Sequence, residues 1–104
     1  MARLYYTCWR HMGVDDFSRL ITAPAAPPLA EGHLEITHEN QVSEAFPQYT
    51  TFISIKATAD CAIAFTGIDG NDPVADPDFH FVGIDEYRFY GAVAGTKIAV
   101  IEAS

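Results

Sequence analysis

Short runs in which apolar and polar residues alternate recur along the chain, and no stretch sustains a helical period. A period of two sends successive side chains to opposite faces of a strand. In the first run, Arg3 to Trp9, Leu4, Tyr6 and Cys8 share one face and Tyr5, Thr7 and Trp9 the other. From His33 to His38, Leu34 and Ile36 point inward while His33, Glu35 and Thr37 point outward. The clearest run is Thr50 to Ala57, rich in β-branched and aromatic residues. It sets Thr51, Ile53 and Ile55 against Phe52, Ser54 and Lys56. Cys61 to Thr66 follows, with Cys61, Ile63 and Phe65 on one face, and the short link through Ala59-Asp60 predicts a hairpin with the preceding strand. Gln41 to Phe46 reads as a weak strand or a helical turn closed by Pro47. Phe79–Val82 and Glu86–Tyr90 read as short strands, and the apolar Lys97–Ile101 as a central one. Gly, Pro, Asn and Asp punctuate all of these runs.

Many short strands of this kind predict an all-β fold, an antiparallel β-sandwich with jelly-roll character. Its expected core is Leu34, Ile36, Ile53, Ile55, Ile63, Phe65, Ile98 and Val100. The segment from Arg10 to Gly32 breaks the pattern. Pro24, Pro27 and Pro28 crowd its second half, which excludes a helix and disfavours a central strand. An extended, polyproline-like N-terminal arm is expected there. Its apolar residues Phe17, Leu20, Ile21 and Leu29 have no place in the sandwich pattern, and they are the candidate partner-binding residues. The whole chain, 1–104, reads as a single β domain, with the N-terminal strand and arm in residues 1–32 and the sandwich core in 33–104.

Composition narrows the function classes. The chain is 49% hydrophobic and 19% charged, values of a globular protein and not a disordered one. Aromatic residues make up 12%, a supply that suits sheet cores and interfaces. The formal net charge is −8, and Arg3, Arg10, Arg19, Lys56, Arg88 and Lys97 are scattered. Such a surface repels a polyanion, so no direct nucleic-acid contact is expected. No apolar run approaches the ~20 residues of a membrane helix, and the N-terminus has no signal-peptide pattern. Cys8 and Cys61 each sit in an apolar run and read as reduced, buried thiols, which fits synthesis in the cytoplasm.

The residues that carry chemistry are sparse. His33 and His38 lie at odd spacing on one presumed strand and so face opposite ways, with His80 free to approach either. A cupin-like metal site needs a closer pair and a carboxylate at fixed spacing, so no metal and no cofactor is expected. The acidic loop Asp69 to Asp78 is rich in oxygen ligands but lacks the EF-hand spacing; it reads as solvated turns whose Asx side chains cap their own backbone, with calcium as the alternative. There is no G-x-S-x-G elbow, no Cys/His signature and no phosphate loop, and the adjacent pairs Asp15-Asp16 and Asp85-Glu86 diverge on a strand. The chain therefore reads as a non-enzyme. Tyr5, Trp9, Tyr49, Tyr87 and Tyr90 form either core and interface anchors or a sugar-stacking platform.

One further pattern spans a little over half the chain. It runs Ser43-Glu44-Ala45-Phe46, Thr51-Phe52-Ile53-Ser54-Ile55 and Asp60-Cys61-Ala62-Ile63-Ala64-Phe65, and it resumes at Tyr90-Gly91-Ala92-Val93-Ala94-Gly95-Thr96-Lys97-Ile98-Ala99-Val100-Ile101. This stretch resembles a family of small structural proteins of tailed phages and prophages. The resemblance implies a virion protein that decorates or cements the capsid. Its partners would be the major capsid protein or other virion subunits, with further copies of itself. A neck or tail position is the alternative, because the loop Gly67 to Phe81 is longer and more acidic than the family's and the arm matches poorly.

Overall fold

A computed structural model of the chain describes residues 2–10, 12–14, 20–24, 28–67 and 70–103. The strands are β1 (Arg3–Trp9), β2 (Met12–Val14), β3 (Leu20–Pro24), β4 (Ala30–Glu35), β5 (Gln41–Val42), β6 (Phe52–Ala57), β7 (Cys61–Phe65), β8 (Phe81–Val82), β9 (Tyr87–Gly91) and β10 (Ile98–Glu102). Eight of them form two four-stranded antiparallel sheets, ordered β4-β1-β6-β9 and β5-β10-β7-β8. From β4 onward the chain switches sheet at almost every connection, and only β7 and β8 follow one another within a sheet. This is the jelly-roll way of closing a sandwich, and the expected all-β sandwich is the fold observed.

The core lies between the sheets. Leu4 and Cys8 of β1 and Ile53, Ile55 and Ala57 of β6 face Cys61 and Ile63 of β7, Val82 of β8 and Ile98 and Val100 of β10. Ile36 and Phe46 close the same cluster, while Leu34 and Phe65 pack against it from partly buried positions. Alternation within β6 therefore placed Ile53 and Ile55 correctly, and Leu4 and Cys8, which share one face of β1, join the core beyond those expected. Tyr6 also faces this side, opposite Gly32 of β4, and its ring fills the space that a Cβ on Gly32 would need, 2.6 Å from Cζ. A glycine is required there because the tyrosine leans across the strand. Cys8 and Cys61 are free thiols, both buried.

Three expectations are corrected. First, β6 and β7 do not form a hairpin. They lie in different sheets, and Thr58 to Asp60 arches across the end of the sandwich. Thr58 N donates to Arg3 O, Arg3 N donates to Thr58 Oγ1, and Asp60 Oδ1 accepts from Ile84 N, so the link is tied to its neighbours on both sides. Link length cannot tell an arch from a hairpin; both strands here gain their ladders from others, β6 from β1 and β9 and β7 from β10 and β8. Second, the boundary at residue 32 does not part arm from core, because β1 is an interior strand of the first sheet and β4 begins at Ala30. Third, the segment after Arg10 is not wholly irregular. β2 and β3 pair as a separate two-stranded ribbon, with Met12 opposite Pro24 and a register shift before Val14. Pro24 is tolerated because a two-stranded ribbon has only edges.

The second sheet is covered over the middle of its outer side by its own chain, while Phe81 at its β8 edge stays 52% exposed. Ala62 and Ala99 point away from the core, since their neighbours Cys61, Ile63, Ile98 and Val100 point into it, yet both are fully buried. The segment from β7 to β8 supplies the cover. It leaves one side of the sheet and reaches Asn40, beside β5 on the other, where Asn40 Nδ2 donates to Pro73 O (3.2 Å) and Asn40 Oδ1 accepts from Ala75 N (2.8 Å). Lys97 Nζ holds Asp72 Oδ1 at 2.9 Å on the way. The small alanine side chains let this strap lie close, and Ala75 of the strap is itself buried. Replacing Asn40→Ala removes both bonds at once. We expect a loss of about 1–3 kcal/mol in urea unfolding. Limited proteolysis should cut within residues 70–79 at protease levels that spare the wild type.

Candidate docking face

Among the described residues, the outer side of the first sheet has no such cover. Register sets its outward residues in rows. Tyr5 lies between His33 of β4 and Lys56 of β6, and Lys56 in turn faces Tyr87 of β9. One row along, Thr7 lies between Glu31 and Ser54, and Ser54 faces Phe89. In the third row Trp9 faces Phe52, and Phe52 faces Gly91.

Four rings on this face touch in sequence. Trp9 stacks on Phe52, with centroids 6.5 Å apart and planes 15° apart. Phe52 meets Phe89 at 6.1 Å, and Phe89 meets Tyr87 edge-on at 5.2 Å. Trp9 Nε1 donates to Ser54 Oγ at 2.8 Å, which anchors the indole to the sheet and satisfies the buried Ser54 hydroxyl. Tyr5, Phe89 and Tyr87 are 44%, 45% and 56% exposed, so the stripe is open to contact. Glu31 and Glu35 border it along β4. An apolar aromatic centre with a charged rim is the composition of a protein-binding patch.

The tyrosine and tryptophan candidates divide. Tyr5, Trp9 and Tyr87 share this face. Tyr49 does not; it sits in a turn with φ of 76°, under the Arg10 guanidinium at 5.0 Å from its ring centre. Tyr90 points the other way, where its hydroxyl meets Arg88 Nη1 and His80 Nε2, each at 3.1 Å, and its ring packs on Phe65. Arg88 is held in turn by Glu86. Phe52 and Phe89 were missed as candidates, although the alternation of β6 already sent Phe52 away from the core-facing Ile53 and Ile55.

Of the arm residues, Leu29 is 37% exposed and its amide donates to Cys8 O at 2.8 Å. Leu20 and Ile21 are described as backbone of β3 alone, and Phe17 lies outside the described residues, as do Asp15 and Asp16. The histidines stay apart. His33 packs near Tyr5, His38 lies beyond the end of β4 in solvent, and His80 pairs with Tyr90. Among the described residues no group of three His, Cys, Asp or Glu side chains converges. In the acidic loop Asp76 Oδ1 accepts from Asp78 N at 2.9 Å, an Asx cap of the expected kind, and Asp72 is taken by Lys97. Asp69 lies outside the described residues.

Comparison with family models, with curated proteins and with solved structures finds no match to this chain.

Proposed function

We propose that this chain is a structural subunit of a tailed-phage particle that decorates or cements the capsid, with its aromatic sheet face laid on the shell. The observation that carries the reading is the contrast between the two outer faces. One sheet is roofed over its middle by the chain's own loop and leaves Phe81 exposed at its edge, and the other presents a row of Tyr5, Trp9, Phe52, Phe89 and Tyr87 to a partner. Aromatic residues dominate the energetic centres of protein interfaces. The resemblance of Ser43 to Ile101 to small phage structural proteins supplies the setting, a virion with the major capsid protein as partner. A modest contact repeated over a symmetric shell holds firmly, since neighbouring subunits raise one another's effective concentration. The net charge of −8 disfavours DNA as the partner. Phe17, Leu20, Ile21 and Leu29 of the arm are a second point of contact in this reading, and no catalysis or cofactor is involved.

The test uses capsids of the phage whose genome encodes the chain, stripped and then incubated with purified protein. Wild type should co-sediment with the shells. A Tyr5→Ala, Trp9→Ala double variant should bind about tenfold or more weakly. Wild type that stays in the supernatant overturns the capsid assignment, and recovery on neck or tail fractions moves the subunit there. A carbohydrate-binding module is the competing reading, favoured by the anchoring of the Trp9 indole on Ser54 beside Phe52. It predicts a change in Trp9 fluorescence with a glycan, in the absence of any capsid.

A further inference from the structure

The first sheet ends in two long edges of opposite character, β4 and β9. Ala92 N donates to Thr51 O (3.0 Å), which sets the phase of the β6–β9 ladder. Arg88 and Tyr90 therefore turn their amides and carbonyls toward β6, and Tyr87, Phe89 and Gly91 turn theirs to the open edge. Strand edges of this kind are templates for another strand unless charge, proline or cover blunts them. β9 has no proline and, among the described residues, no covering strand; its one charge, Arg88, lies on the inward face and is paired by Glu86. It carries no acidic residue and one arginine on a chain of net charge −8.

We infer that β9 pairs antiparallel with β9 of a second copy, about a two-fold axis through Phe89, joining the two first sheets into one eight-stranded sheet. The register is self-complementary. Phe89 meets Phe89, Arg88 meets Tyr90, and Tyr87 meets Gly91, and the three edge-facing residues exchange both of their backbone bonds. No like charges oppose one another. The chain already uses the tyrosine–glycine pairing once, where Tyr6 leans over Gly32, and a Cβ at Gly91 would find nothing within 4 Å, so the space is open. The aromatic stripe then runs unbroken from Trp9 of one copy to Trp9 of the other. The β4 edge forbids the same arrangement. Ile36 N donates to Ala2 O, so Glu31, His33 and Glu35 face outward, and full-length self-pairing about His33 would set Glu31 against Glu35 twice.

This inference stands apart from the virion reading and is tested on the purified chain alone. Sedimentation velocity up to ~100 µM should give a dimer for wild type, and Phe89→Lys should weaken self-association at least ~30-fold with an unchanged far-UV spectrum. In a hydrogen-bonded antiparallel pair the Cα atoms are ~5.5 Å apart, within reach of a disulfide. Phe89→Cys should thus oxidise to a linked dimer, while Val93→Cys, exposed beyond the strand, should not. A wild type that is monomeric at the top concentration overturns the proposal. So does a dimer that survives Phe89→Lys and fails to cross-link through Phe89→Cys.

Discussion

Truncating Ile53→Ala should lower the free energy of unfolding by about 2–5 kcal/mol, the span seen for large-to-small changes in close-packed cores. Ile53 is fully buried on β6, with Cys8 beside it on β1 and Tyr90 beside it on β9, and its side chain faces the second sheet. Neither neighbouring strand can move in to fill the void, because each is fixed by its own ladder. The loss combines the transfer of the removed carbons with the residual cavity. In a domain of this size each kcal/mol lowers the melting temperature by roughly 4–8 °C, so the thermal shift should be tens of degrees or close to it. Val93→Ala is the control. Val93 is 68% exposed, and its removal should stay within about 0.5 kcal/mol. Urea melts of both variants check the assignment; equal effects would mean that the sandwich interior is placed wrongly.

The second large effect is a loss of stability in alkali. Burial pushes the Cys61 thiol from the ordinary value of 9.0 up to about 11, with the nearby Asp60 carboxylate adding to the rise. Burial raises Cys8 as well, against a Thr50 hydrogen bond that lowers it. Tyr6 is raised by burial first and by Cys8 and Glu44 after it. In each case the unfolded chain gives up its proton at lower pH than the folded one. Above the unfolded value the folded state holds more protons, so stability falls as pH rises. For Cys61 the stabilisation is complete below pH 9 and is lost progressively up to about pH 11. At about 1.4 kcal/mol per unit this amounts to roughly 2–3 kcal/mol. Chemical denaturation at pH 8 and pH 11 should show the drop, and Cys61→Ala should reduce it. A profile that is flat across that window would mean that Cys61 is open to water. The same burial makes both thiols slow to alkylate in the native state at neutral pH.

Much of the sandwich was legible from alternation alone. β1, β6 and β7 each show period-two patterning with one face in the core, and the apolar run of β10 was read as central, which it is. What pattern cannot convey is which sheet a strand joins. Thr58 to Asp60 is short enough for a hairpin, and the arch became visible only with the partners of Ala57 and Cys61 in place. The strap was illegible for a related reason. Its hold depends on Asn40, over thirty residues upstream, and on two alanines whose smallness has meaning only beneath it. The docking face was half legible. Tyr5, Trp9 and Tyr87 drew notice as aromatic residues, but Phe52 and Phe89 complete the stripe through cross-strand neighbours that only register reveals.

One interior position in each sheet goes to a strand from an opposite end of the described chain. β1, first of the ten, lies between β4 and β6, and β10, the last, lies between β5 and β7. A ribosome therefore releases β5, β7 and β8 before the strand that joins β5 to β7, and the second sheet stays incomplete until β10 has emerged. Assembly of the sandwich should await the emergence of β10, and its rate should reflect the closure of distant contacts, which is slow. Until then the unfinished sheets expose the kind of edge that recruits neighbours, and crowded expression would favour aggregates over native protein.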